Sequence, residues 1–189
     1  MRIYLQAAMI TLVVGAVFVF GFRVWREASS PKAAEARIVS MEQMEKEGLP
    51  NFSYTTLQGE KGQLSDLKGK IVILNYWASW CGPCVEEFPS MISLVEALKG
   101  EAVLVAVSGD SNRKDIDQFL RQLKGWDQKD VKIVWDEDRS LTKLYDVDRL
   151  PESYIAGPDL KLVKKIIGSI NWHTPESVEY LKSILARPK

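Results

Sequence analysis

Ile71-Val72-Ile73-Leu74-Asn75-Tyr76-Trp77-Ala78-Ser79-Trp80-Cys81-Gly82-Pro83-Cys84-Val85-Glu86-Glu87-Phe88 is the stretch from which the rest of the chain can be read. It opens on a near-continuous apolar run, the pattern of a strand buried on both faces. Past Cys84 the period changes. Val85, Phe88, Met91, Ile92, Val95 and Leu98 form one stripe at helical spacing, and Gly100 stands just beyond it. The two cysteines, the only ones in the chain, therefore fall where a strand hands over to a helix. Two intervening residues across a first helical turn bring the sulfurs close enough to bond. The helix N-terminus offers unpaired N–H groups and a partial positive charge, which favour a thiolate on the more exposed first cysteine. The spacing thus implies dithiol redox chemistry, with Cys81 as the attacking sulfur and Cys84 resolving the mixed disulfide.

Other uses of such a pair fit poorly. A structural zinc site needs four ligands, and one C-x-x-C with the single His173 cannot supply them. Haem attachment needs a histidine directly after the second cysteine, where Val85 stands. A purely structural disulfide over two residues closes too small a loop to stabilise much. No metal and no cofactor beyond the two sulfurs is called for. Glu86 and Glu87 also suit the helix dipole as first-turn acids, and His173 reads as a surface or capping residue.

Working outward, Phe52 to Leu57 alternates as a strand does, and Gln58-Gly59-Glu60-Lys61-Gly62 reads as its hairpin turn. Ala102 to Val107 is a second buried strand. Ile116, Phe119, Leu120 and Leu123 mark a helix ahead of Gly125. Val131 to Trp135 is a third strand, and Leu141, Leu144 and Tyr145 mark a short helix. Ser153 to Ala156 and Leu162 to Ile167 flank a Gly157-Pro158-Asp159 turn, which predicts an antiparallel pair. The last helix starts at Thr174-Pro175, with Thr as cap and Pro in the first turn, and runs to about Ala186. Strands alternating with helices, then a hairpin and a closing helix, predict an α/β fold of one domain, a mixed sheet with helices on both faces.

The N-terminus has a different character. No charged side chain occurs from Ile3 to Phe22, and twenty helical residues span roughly 30 Å, the thickness of a bilayer's hydrocarbon core. The run ends in Arg23-Val24-Trp25-Arg26 with no small-residue cleavage site close behind it. Residues 1–27 therefore read as an uncleaved N-terminal transmembrane anchor. Residues 28–47, rich in Ala, Glu, Lys and Ser, read as a linker with a short helical turn at most. The domain is expected over 48–189. Basic and acidic residues balance at 25 each, which gives a nucleic-acid-binding surface no support.

The stretch Asn75 to Pro89, with Leu49-Pro50-Asn51-Phe52 and Leu64-Ser65-Asp66-Leu67-Lys68-Gly69-Lys70 before it, resembles the TlpA/ResA branch of the thioredoxin superfamily. The resemblance covers about residues 48–187. It implies a thioredoxin fold, a mixed central sheet flanked by helices, with an N-terminal β-hairpin and an inserted βα unit. It also implies a reductase outside the cytoplasm, used in cytochrome c maturation or on other exported thiols. Thioredoxin carries an aspartate where Asn75 stands, whereas this branch places a glutamate where Glu87 stands. A partly desolvated carboxylate there exchanges a proton with Cys84. Leu150-Pro151 matches the cis-proline loop, which packs opposite the disulfide and offers backbone to an incoming peptide. Trp80, Gly82, Pro83, Leu150 and Pro151 make up the substrate-binding set, while Trp77 belongs to the core.

Gly82-Pro83 between the cysteines matches thioredoxin, whose potential is about −270 mV, against about −120 mV for the oxidant DsbA. Reduction of protein disulfides is therefore expected ahead of oxidation or isomerisation. A thiol peroxidase and a Sco-like copper-binding protein share the fold and are the remaining alternatives. The cations Arg23, Arg26 and Lys32 outnumber Arg2 across the apolar run, so charge alone does not place the domain outside. That placement rests on the redox argument. A reductase in an oxidising compartment must be recharged, which implies a transmembrane electron donor of the DsbD/CcdA type.

Overall fold

The computed structural model describes residues 19–22 and 39–186. Residues 19–22 are helical. The rest of the expected anchor, and the linker up to residue 38, lie outside the described residues. Among the described residues no helix is long and apolar enough to cross a membrane.

From residue 39 the elements run α1 (Met41–Glu47), β1 (Ser53–Thr55), β2 (Lys61–Gln63), a 3-10 turn (Leu64–Leu67), β3 (Ile71–Trp77), α2 (Gly82–Ala97), β4 (Ala102–Ser108), α3 (Arg113–Leu120), β5 (Val131–Trp135), α4 (Ser140–Leu144), β6 (Glu152–Ala156), β7 (Leu162–Ile167) and α5 (Pro175–Leu185). The five-stranded sheet has the order β5-β4-β3-β6-β7. β3, β4 and β5 run parallel, while β6 and β7 are antiparallel additions. This mixed sheet, with its separate two-stranded β1-β2 hairpin, is the thioredoxin-like arrangement that the resemblance implies.

Every residue of β3 and β4 is buried, because helices or loops cover both faces of the sheet. Alternation then sorts the side chains. Ile71, Ile73 and Trp77, with Leu104 and Ala106, pack among Phe88, Met91 and Val95 of α2, Ile116 of α3 and Leu181 of α5. Val72, Leu74 and Tyr76, with Val103, Val105 and Val107, face Met44, Phe52, Tyr54, Tyr145 and Tyr154. Each fully buried aliphatic side chain contributes about 1.5–3 kcal/mol, so the two central strands are the stable frame on which the cysteine loop is hung.

Three boundaries differ from the sequence reading. The hairpin is tighter than expected. Glu60 O accepts from Thr56 N and Thr56 O from Gly59 N, so the turn is over by Glu60, and Lys61 and Gly62 are already strand. Residues 41–47, read as part of the linker, form α1. Ser40 Oγ caps this helix by accepting from Gln43 N, and Met44 is buried against the sheet face. Two methionines in two turns, only one of them buried, are too faint a pattern to announce a docked helix. The folded unit thus extends further toward the N-terminus than residue 48. Finally, α3 ends at Leu120, and Leu123 lies just past the turn that follows it, with its N–H donating to Leu120 O.

Candidate active site

β3 delivers the chain to the site and α2 carries it away. Between them Ala78 O accepts from Cys81 N at 3.1 Å, a turn that moves the backbone from strand to helix. Cys81 is the N-cap of α2 and Pro83 lies in its first turn, where the missing N–H of proline is harmless. Cys81 and Cys84 are joined in a disulfide, and Cys81 Sγ accepts from Cys84 N at 3.3 Å. Cys81 keeps 7% of its surface while Cys84 has none, so an approaching sulfur meets Cys81 first. Gly82 and Pro83 are exposed beside it.

A buried carboxylate holds the approach loop. Asp110, at the end of β4, accepts from Ser79 N at 2.9 Å, Ser79 Oγ at 2.6 Å and Ser108 Oγ at 2.7 Å. Its own carbonyl accepts from Trp135 Nε1 at 2.8 Å. Charge-assisted hydrogen bonds of this kind are roughly twice as strong as neutral ones. The loop from Ala78 to Trp80 is thereby tied to the C-terminal ends of β4 and β5. No sequence pattern marked Asp110 for this role, because the two partners lie thirty-one positions apart.

Glu87 lies one turn on from Cys84, on the same face of α2, and is buried. Its Oε1 accepts from Asn75 Nδ2 at 3.2 Å. Its Oε2 accepts from Ile170 N at 3.2 Å and Trp172 Nε1 at 3.1 Å. Burial pushes the carboxyl above the ordinary glutamate range, and the hydrogen bonds from Trp172, Ile170 and Asn75 offset part of that rise. Asn75 Nδ2 also donates to Ser153 Oγ at 2.9 Å across the β3–β6 pairing. Glu86, its sequence neighbour, is exposed. Trp172 escaped the sequence reading because nothing in its surroundings links it to a glutamate eighty-five positions earlier.

Opposite the disulfide, the Leu150–Pro151 peptide bond is cis, and Pro151 O accepts from Gly168 N at 2.9 Å. Leu150, Trp80, Cys81 and Pro83 line one groove of about 440 Å3. Trp80 is 66% exposed at its rim, whereas Trp77 is fully buried between Phe88 and Phe119. The structure thus brings Cys81, Trp80, Pro83 and Leu150 to one groove and sets Glu87 behind the disulfide. His173 is exposed, well along the chain from this loop.

Beyond Pro151, Glu152 is buried, pairs with Lys165 Nζ at 2.8 Å and accepts from the Tyr154 hydroxyl. The charge of this glutamate is thus already neutralised by its own strand neighbours.

Comparison with known proteins agrees with this geometry. The AhpC/TSA family model matches residues 46–165. A thiol-disulfide oxidoreductase ResA of Bacillus cereus is 38% identical over 137 residues, which is 71% of this chain and 75% of that protein. ResA of Bacillus subtilis (strain 168) is 35% identical over 122 residues, covering 64% of this chain and 66% of its own length. Among solved structures, StoA from Bacillus subtilis superposes with a TM-score of 0.57 at 27% identity, over 71% of this chain and 96% of that one.

Proposed function

From the premise that this chain belongs to the AhpC/TSA family and is one of its ResA-like thiol–disulfide oxidoreductases, we propose that it works as a membrane-tethered reductase of disulfides in exported proteins. The observation that carries the reading is the Cys81–Cys84 disulfide at the start of α2, bordering a groove lined on its far side by Leu150.

In the reduced state the Cys81 thiolate, favoured by the α2 N-terminus, attacks one sulfur of a client disulfide. The client's disulfide breaks, a Cys81–client disulfide forms, and the first client thiolate leaves to take a proton from water. Cys84 then loses its proton to Glu87 and attacks Cys81 Sγ. The second client thiolate leaves and is protonated in turn. The client has gained two electrons and two protons, and the enzyme ends as the Cys81–Cys84 disulfide. Glu87 suits the proton step because a carboxyl held above its ordinary range is a stronger proton acceptor. Trp80, Gly82, Pro83, Leu150 and Pro151 form the contact surface, with the backbone beside Pro151 pairing with the client as an added strand would.

Apocytochrome c is the client class that the family resemblance suggests. The uncharged run from Ile3 to Phe22 supports a single-pass anchor, and the dithiol redox chemistry favours the extracytoplasmic side for the catalytic domain. A transmembrane donor of the DsbD/CcdA type would then return electrons to the disulfide, since the surroundings keep oxidising it.

The deciding measurement is the reduction potential of the pair, obtained by equilibrating the protein with dithiothreitol or glutathione buffers. A value near or below about −270 mV supports a reductase, and one near about −120 mV makes the protein an oxidant. Cys84→Ser should trap a mixed disulfide with client protein, and Cys81→Ser should trap none. The electron-donor proposal fails if the protein stays reduced in cells lacking every such carrier.

A further inference from the structure

Arg139 is a half-buried groove residue that neither the thiol chemistry nor the fold accounts for. It precedes α4 in the left-handed conformation, at φ 59° and ψ 23°, a region that disfavours side chains other than glycine. Its guanidinium lies against the backbone of Gly109. A Cβ at that glycine would stand 2.7 Å from one terminal nitrogen of Arg139 and 3.3 Å from its Cζ, so only glycine leaves the arginine this position. Both residues line the groove that holds Cys81, Trp80 and Leu150.

Arg139 is half-buried, yet among the described residues its guanidinium has no hydrogen bond and no ion pair. The two buried carboxylates at the ends of the neighbouring strands are already occupied. Asp110 accepts from Ser79 and Ser108, and Asp136 accepts from Leu141 N and from the backbone and hydroxyl of Thr142. The other charged side chains lining the groove are Asp148 and Arg149, both exposed. The donors to Asp110 and Asp136 are neutral and cancel no charge, but among the described residues neither carboxylate pairs with the guanidinium. A partly desolvated guanidinium without an anion is unfavourable until one arrives, and it offers a planar fork suited to a carboxylate.

Resting on the reductase reading above, we propose that Arg139 selects clients carrying an acidic side chain close in sequence to the cysteine under attack. The client's carboxylate pairs with the guanidinium as its disulfide reaches Cys81. A partly buried charged hydrogen bond is strong enough for a preference of about tenfold, larger than an exposed rim pair would give.

The test uses the full-length chain in detergent and a series of disulfide-bonded peptides. A Glu is moved through successive positions on either side of the cysteine, and each peptide is matched with its Gln counterpart. The expected result is at least one position at which kcat/KM for Glu exceeds that for Gln about tenfold, with the ratio shrinking as salt rises. Arg139→Gln should bring that ratio close to one, and Arg139→Lys should restore part of it. Gly109→Ala, which pushes the guanidinium aside but keeps its charge, should lower it too. The proposal is overturned if no position prefers Glu, or if the preference survives in Arg139→Gln. It is equally overturned if Arg139→Gln slows both members of each pair alike and raises the Cys81 thiol pKa, because the arginine would then serve the thiolate. A wild-type chain that reduces none of the peptides removes the reductase reading itself, and this inference with it.

Discussion

At Glu87 two opposing effects meet on one carboxyl. Burial raises its pKa, and three donors, Trp172 Nε1, Ile170 N and Asn75 Nδ2, favour the ionised form. Burial wins, so the folded protein binds this proton more tightly than the unfolded chain does. The linkage sign follows. The contribution to stability is fully present below the ordinary glutamate pKa and is lost as pH rises through the raised folded value. Glu87→Gln should therefore flatten stability over that window, which denaturant melts at a series of pH values would show. The same variant should slow resolution of the mixed disulfide by about 10²–10⁴-fold near neutral pH, the usual span for loss of a proton acceptor. Stopped-flow release of a chromogenic thiol measures it, and an unchanged rate would remove Glu87 from the proton step. Asn75→Asp places a second carboxylate against Glu87 Oε1. Two acids so close cannot both ionise freely, so the lower limb of the pH–rate profile should move upward. A profile that stays in place would mean that residue 75 and Glu87 do not communicate.

Among the elements, those with strong periodicity were legible and those held by distant partners were not. β3 and β4 announce themselves by unbroken apolar runs, and α2 by its stripe from Phe88 to Val95. The cap Thr174, whose hydroxyl accepts from Ser177 N at 3.2 Å, was readable because the rule for a helix start is local. Thr174→Ala should accordingly cost about 1 kcal/mol in a denaturant titration. Neither Asp110 nor Trp172 could be found this way. Each owes its place to a strand or loop far off in the chain, and no period encodes such a meeting. The cost of losing Asp110 is expected to exceed that of a cap. Asp110→Ala strands the buried Ser108 hydroxyl, at about 1–3 kcal/mol, and also frees the part-buried Ser79 N. A measured loss no larger than that of Thr174→Ala would show that the approach loop does not depend on this carboxylate.

Taken as a whole, the folded unit carries its N-terminal helix as part of the structure. Met44 is 1% exposed, and Gly48, at φ 102°, turns the chain tightly against the Leu160 carbonyl. Leu160 O in turn accepts from Leu49 N at 2.9 Å. A chain starting at residue 39 should keep its full stability, while one starting at residue 48 should lose about 2–5 kcal/mol, as for truncation of a large core side chain. Equal thermal midpoints for the two would mean that α1 merely rests on the domain.

The exposure of Trp80 has an optical consequence. Of the tryptophans among the described residues, Trp77 and Trp172 are sealed inside, Trp126 and Trp135 are half-buried, and Trp80 is 66% exposed and covalently next to Cys81. A disulfide withdraws excitation from an indole that touches it, and a dithiol does so far less. The chain therefore carries an indole beside the reacting bond, and its emission is expected to brighten as electrons arrive and to dim as they pass to a client. Each turnover can be watched in the native protein, without a label.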